Sequence, residues 1–332
     1  MTIELRRMRR TGRLAGAVML AGLGFAAPAM AQDAGGAERI PYPVDTVTLV
    51  THSSPGGGSD VFLREMSRFL GQIIDANFVV ENVSGGSGAN AMAHMKAAAT
   101  DGSVLYATTP TYVFTSLLSN VEASYADLEP VVNVFYDPQV IYTRADAPFT
   151  SMAEVLDKAK AGRSAWGAAN PGSLERLTLE NLKRLTGVDA AIVTSEGGGD
   201  TMINVLNGTL DVAIGEIQEL RSQLDAKQVR LLAVASEERL EAFPDLPTLK
   251  EGGVDLVVRK FRGLAGPKNI APEAVAAWEQ AIPRLLENPE YKALYSASTL
   301  VPAFVPHAEY GPFTAAFADE QRKVLTEAGV IQ

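Results

Sequence analysis

The sequence predicts an α/β fold of two domains, and three observations carry the prediction. Eight short apolar runs with β-branched content recur along the chain, most of them followed by a stretch with helical spacing. That alternation builds βαβ units and mainly parallel sheets. The length of 332 residues exceeds the roughly 100 to 200 residues of one ordinary domain. The chain has no cysteine, so apolar burial alone holds it together, which at this length suffices. No linker, charge block or tandem repeat divides the pattern, so any domain boundary falls inside a continuous globular stretch.

The first element is a leader. Arg6, Arg7, Arg9, Arg10 and Arg13 surround or precede an apolar run from Leu14 to Ala27, and Ala29, Met30 and Ala31 form an A-x-A cleavage pattern. This is the layout of a bacterial signal peptide over residues 1–31, and it predicts a periplasmic protein. The run is shorter than the roughly 20 residues of a membrane span. Arg9-Arg10 lacks the apolar pair of the twin-arginine route, which favours general secretion. The formal net charge is −10, and removing residues 1–31 with their five arginines and Glu4 leaves the remainder more acidic still. Nucleic acid is excluded as a partner on that balance.

The runs that read as strands are VTLVT (47–51), FVVEN (78–82), SVLYAT (103–108), EPVVNVFY (129–136), QVIYTR (139–144), AAIVTS (190–195), LDVAIGE (210–216) and VRLLAVAS (229–236). Helical spacing follows the first at Val61, Phe62, Met66, Phe69, Leu70 and Ile73. In 173–186 it puts Leu174, Leu177, Leu182 and Leu185 on one side, and near the C-terminus it does the same for Phe313, Phe317, Val324 and Leu325. Trp166 and Trp278 read as packing residues, with Trp166 close enough to a loop to line a cleft.

Glycine-rich turns occupy the strand-to-helix junctions, where α/β proteins bind ligands. THSSPGGGSD (51–60), ENVSGGSGAN (81–90) and SEGGGDTM (195–202) each follow a strand and precede a helical stretch. Such a turn presents unpaired N–H groups and the positive end of a helix dipole, which suits an anion. A tight turn alone would explain any one of them, but three weaken that reading. Phosphate is disfavoured: no turn has the Walker lysine, and Gly86, Gly88 and Ala91 fail the last position of G-x-G-x-x-G. Gly85-Gly86-Ser87-Gly88-Ala89 also fails as a nucleophile elbow. His52, His94 and His307 show no metal-ligand spacing, and Ser53 and Ser54 beside His52 do not make a triad. His52 alone stands at the mouth of a glycine turn.

Taken in order, PGGGSD (55–60), VVEN (79–82), GGSGAN (85–90), DGSVLYATT (101–109), VRLLAVASEER (229–239), FPDLPTLKEGG (243–253) and FRGLAGPKNIAPE (261–273) resemble the solute receptors of the tripartite tricarboxylate transporters, the Bug-type periplasmic binding proteins. The resemblance spans the chain beyond the leader. It implies a type II periplasmic-binding-protein-like clam-shell: residues 38–139 with 262–332 as one domain, 140–261 as the other, joined by two hinge crossings. It implies no catalysis, cofactor or metal, and a monomer that takes a small organic acid (a mono-, di- or tricarboxylate, an amino acid or an aromatic acid) to membrane carrier subunits. A role feeding a sensor kinase would share every site residue, whereas an exported enzyme would need a nucleophile and base that no motif supports.

Carried onto this sequence, the carboxylate is held by Pro55, Gly56, Gly57, Gly58, Ser59 and Asp60 and by Gly86, Ser87, Gly88 and Asn90, with Thr108 and Thr109 after the third strand. Asp60 also reads as the cap of the following helix. The second domain contributes Asn170, Ser173, Arg176, Gly198, Asp200 and Glu216. Here the run Gly172-Ser173-Leu174-Glu175-Arg176 departs from the glycine-threonine-serine-serine-histidine of relatives. Arg176 is either a second carboxylate's counter-charge or a solvated side chain. Glu196, Asp200 and Glu216 at the same cleft disfavour a dianion, unless they are paired or face solvent.

Overall fold

The computed structural model describes residues 38–327 and 329–332; the expected leader lies outside them. The chain begins with β1 (Thr46–Thr51), α1 (Gly58–Leu70), β2 (Asn77–Asn82), α2 (Ala89–Lys96), β3 (Val104–Thr108), α3 (Pro110–Leu118) and β4 (Leu128–Asp137). It continues through β5 (Gln139–Arg144), α4 (Met152–Ala161), β6 (Ala165–Ala168), α5 (Leu174–Thr186), β7 (Ala191–Thr194), α6 (Gly198–Leu206), β8 (Val212–Glu216), α7 (Ile217–Asp225) and β9 (Val229–Val234). It ends with β10 (Lys260–Pro267), α8 (Pro272–Glu287), α9 (Pro289–Ala297), β11 (Val301–Val305) and α10 (His307–Glu327).

The strands form two sheets, ordered β11-β4-β10-β3-β1-β2 and β7-β6-β8-β5-β9. The chain leaves the first sheet after Asp137, enters the second at Gln139 and is back in the first at Lys260. These sheets are mixed, which corrects the expectation of mainly parallel pairing. β1 runs parallel to β2 and β3, and β6 to β7 and β8, but every pairing of β4, β5 and β10 is antiparallel. The reason is connectivity. A crossover helix returns the chain to the same end of a sheet and makes the next strand parallel, whereas strands that pass between sheets enter from the opposite end.

All eight anticipated strands are present, and three more join them. β6 (AWGA) is short and lacks β-branched residues; β10 (KFRGLAGP) carries two charges, two glycines and a proline. β11 tolerates Pro302 because it is an edge strand.

Each sheet has its own apolar core. Val47, Leu49, Phe62, Leu63 and Trp278 pack in the first, and Val155, Trp166, Leu179 and Leu182 in the second. Trp166 is therefore a core residue rather than a cleft wall, with its indole N–H donated to Ser164 Oγ at 2.9 Å.

Two helix faces differ from their sequence reading. α5 buries Glu175, Thr178, Leu179 and Leu182, while Leu185 is exposed and Leu174 and Leu177 are only partly covered. Polar partners rotate this helix: Glu175 pairs with Lys260, and Thr178 donates to Gln139 Oε1 at 2.9 Å. α10 buries Tyr310, Thr314, Ala318 and Leu325, leaving Val324 exposed. Phe313 and Phe317 instead make T-shaped contacts with Phe261, at ring distances of 5.5 and 5.3 Å.

Candidate functional site

The three glycine turns converge between the sheets. In the first and third, Gly57, Gly58, Gly197 and Gly199 are required by close approach rather than by backbone conformation, whereas Gly56 is left-handed at φ 81° with open space around it. A Cβ on Gly57 would overlap Ser53 Oγ, and one on Gly58 would meet the Arg262 guanidinium and the Glu216 carboxylate. Across the cleft, a Cβ on Gly197 would strike Ser54, and one on Gly199 the carbonyl of Pro55. Two loops from different sheets thus pack backbone against backbone, which only residues without side chains permit. The second turn uses conformation instead, with Gly85, Gly86 and Gly88 at φ of 111°, 59° and 97° and Ser87 left-handed at 55°. Ser87 Oγ accepts the Gly172 N–H at 3.1 Å and so ties this turn to the loop before α5.

Between these loops lies a polar cavity of about 20 Å³, room for about one water. His52, Ser53, Gly58, Ser59, Thr109 and Thr111 line it from the first sheet, Ala169, Asn170, Glu175, Gly198, Glu216 and Glu219 from the second, and Lys260 from the strand that returns.

The N-terminus of α1 already holds a carboxylate. The Gly58 N–H donates to Glu219 Oε2 at 2.9 Å, and the Glu216 N–H to Glu219 Oε1 at 3.3 Å. Gly198 and Gly215 make room, since a Cβ at either would overlap the Glu219 carboxylate. The neighbouring loop amides are taken locally: Gly56 N–H by Asp60 Oδ2 at 2.9 Å, and Gly57 N–H by Ser54 O at 3.0 Å.

Behind the cavity runs a buried ionic network. Lys260 pairs with Glu175 and, at 2.7 Å, with Glu216; Arg262 pairs with Asp137 and, at 3.4 Å, with Glu216 Oε2, and donates to Ser59 Oγ at 3.1 Å. With Glu219, four buried carboxyls face two buried cations. Burial pushes the Glu216 carboxyl well above its usual range and that of Glu219 up to about 7, while the nearby Lys260 charge works the other way. Burial likewise raises Asp137 against the pull of Arg262. Glu175 is the exception: burial would raise it, but the Lys260 ammonium holds it down to about 2. Burial, with the Lys260 charge, lowers His52 to about 4, so the ring is neutral, and its Nδ1 shares a 2.7 Å hydrogen bond with Tyr106 OH.

The residues singled out from the sequence divide by position. Gly58, Ser59, Thr109, Asn170, Gly198 and Glu216 line the cavity. Gly57 caps α1, Ser173 caps α5, and Gly88 lies against His52. Asp60 is not the cap residue itself; it sits in the first turn of α1 and binds the Gly56 N–H, Arg64 and Asn82. Thr108 is bonded to Tyr310 at 2.7 Å, and Asn90 donates to Ser84 O. Pro55, Gly56 and Glu196 are exposed, Asp200 is half-buried, and none of the four lines the cavity. Gly86 and Ser87 do not line it either. Arg176 does not line it: it donates to Pro171 O at 3.1 Å, lies 3.8 Å from Glu180 and, with Ser87 and Gly172, lines a separate cavity of about 1080 Å³.

A sequence model of the tripartite tricarboxylate transporter family receptor matches residues 61–329. The chain belongs to that receptor family. It is accordingly a solute-binding receptor and not an enzyme. It is 24% identical to protein BugT of Bordetella pertussis over 319 residues, 94% of this chain and 95% of that one. A protein encoded in the gbd 5′ region of Cupriavidus necator is 26% identical over 95% of both chains. Among solved structures, the periplasmic binding protein BugD aligns with a TM-score of 0.81 at 21% identity, over 87% of this receptor and 99% of BugD. Rhodopseudomonas palustris MatC with bound malate aligns at 0.75 and 22%, over 88% and 100%, and R. palustris Rpa4515 with adipate at 0.81 and 23%, over 87% and 99%.

Sequence reasoning passed over Lys260, Arg262, Asp137, Glu175 and Glu219 of this receptor. A signal for two of them exists: Lys260 and Arg262 alternate along an otherwise apolar tract, which places both on one face of a strand. Glu216 and Glu219 are likewise three apart across a strand-to-helix junction.

Proposed function

We propose that this receptor is exported to the periplasm, captures a small organic carboxylate between its two sheets, and hands it to the membrane subunits of a tripartite tricarboxylate-type carrier. The observation that carries the reading is the Gly58 N–H at the start of α1, which is already bonded to a carboxylate inside a buried polar cavity. A helix N-terminus stabilises an anion through its free N–H and its dipole. Residues 38–139 with 262–332 form one body in this reading and 140–261 the other, and the crossings at 137–140 and 260–263 are where they hinge. The signal-peptide pattern of residues 1–31 supports export.

Thermal-shift measurements on the exported protein against organic acids of three to six carbons test the reading. A ligand at 100 times its Kd should add about 2.7 kcal/mol of stability, and calorimetry should then return a one-to-one stoichiometry. If no organic acid raises the melting temperature, the receptor reads some other solute and the proposal fails.

A further inference from the structure

The chemistry of the cavity wall discriminates among organic acids. For a ligand carboxylate to use the Gly58 N–H it must take the place that Glu219 Oε2 holds at 2.9 Å. That exchange leaves Glu219 buried with the Glu216 N–H as its remaining bond, next to Glu175 and beside an added anion. Burying a carboxylate without a counter-charge is costly. The two buried cations offer no relief, because Lys260 is shared by Glu175 and Glu216, and Arg262 by Asp137 and Glu216. Arg176, the counter-charge a second carboxylate would need, lies outside the cavity on Pro171 and Glu180.

The unsatisfied groups point the same way. Glu175 Oε2 and Asn170 Oδ1 are buried with no hydrogen-bond partner, in residues only 3% and 4% exposed, and both residues line the cavity. A carboxylate oxygen with no partner only accepts. Lys260, the cation on this wall, is already taken by Glu175 and Glu216, so these two acceptors have no donor of their own.

We propose that the ligand is zwitterionic, a small acid bearing a protonated amine, whose carboxylate replaces Glu219 on the Gly58 N–H and whose ammonium is received by Glu219 and Glu175 Oε2. This rests on the receptor reading above and narrows it. Glu219 is then the residue that selects against diacids: it is the carboxylate the ligand displaces and the counter-charge the ligand's amine finds.

Calorimetry on the exported protein with 2-aminobutanoate, butanoate and butanedioate, preceded by a thermal-shift screen of the same three classes at three to six carbons, tests it. The amine-bearing acid should bind about 10- to 100-fold more tightly than either partner of equal length, the range of one charge-assisted hydrogen bond. Glu219→Gln should remove most of that preference. A diacid that binds most tightly at every length overturns the zwitterion while leaving the receptor reading intact; silence from all three classes overturns both. Preference retained in full by folded Glu219→Gln overturns the role of Glu219, and if that variant does not fold, the rank order on the unaltered protein still decides the ligand class.

Discussion

At the scale of single residues, the missing side chain of Gly198 is what lets Glu219 reach the other sheet. Gly198→Ala places a methyl group on the Glu219 carboxylate and should lift it from the Gly58 N–H. Losing a charged hydrogen bond and stranding the buried group costs about 1 to 3 kcal/mol, read as a lower urea midpoint; an unchanged midpoint would mean the cradle is slack. Arg176→Ala is the contrasting case. Its guanidinium is bonded outside the cavity, so affinity for mono- and dicarboxylates alike should move by less than about twofold, and a selective loss for the diacid would place the arginine at the ligand.

Two buried groups also set opposed pH dependences. Glu219 is raised to about 7, so its contribution is fully present below its ordinary value of 4.5 and is lost as pH rises through 7. His52 is lowered to about 4, so its contribution is present above 6.5 and is lost as pH falls through 4. Replacing Glu219 with Gln removes the first alone. The variant should therefore gain on its parent between pH 5 and pH 8, by up to about 3 kcal/mol at 1.36 kcal/mol per pKa unit, in parallel thermal melts. A difference that does not change with pH would show that Glu219 titrates normally.

At the scale of elements, α5 shows how a polar partner overrides an apolar stripe. Leucine spacing chose one face of this helix, and the ion pair of Glu175 with Lys260 chose another. Its start is set by Ser173, whose Oγ accepts the Arg176 N–H at 3.1 Å and the Asn170 N–H at 3.4 Å. Ser173→Ala should cost about 1 kcal/mol, the usual loss of a capping hydroxyl. Because the same hydroxyl fixes the loop carrying Asn170, ligand affinity should fall with it. Calorimetry beside urea melts separates the two effects, and affinity unchanged at lower stability would confine Ser173 to the cap. The glycine turns teach a related lesson. Their positions between strand and helix are legible in the sequence because glycine punctuates such junctions. What each turn touches depends on an element distant in the chain, as when Gly58 meets Glu219 or Ser87 meets Gly172.

At the scale of the whole molecule, the charges concentrate where the chain changes sheets. Asp137 and Lys260 face each other across the last register pair of β4 and β10, and Gln139 and Glu216 across the first of β5 and β8. Lys260→Met should therefore cost about 3 to 5 kcal/mol, the cost of removing one partner from a buried ion pair, and adding Glu175→Gln should restore part of it. Equal stability of the single variant and its parent in equilibrium unfolding would show that the network is solvated.

From the sequence alone come the α/β class, eight of the eleven strands among the described residues, the three glycine turns and the family motifs, because each depends on neighbours within a few residues: apolar period, turn chemistry and local order. Only the tertiary structure decides the mixed strand directions, the buried faces of α5 and α10, and the acid-rich cavity. Those are set by which distant segments share a desolvated space. In water Glu175, Glu216, Glu219, Lys260 and Arg262 would be ordinary surface charges; brought together without water, they and a few buried donors such as Gly58 N–H take over the solvent's part.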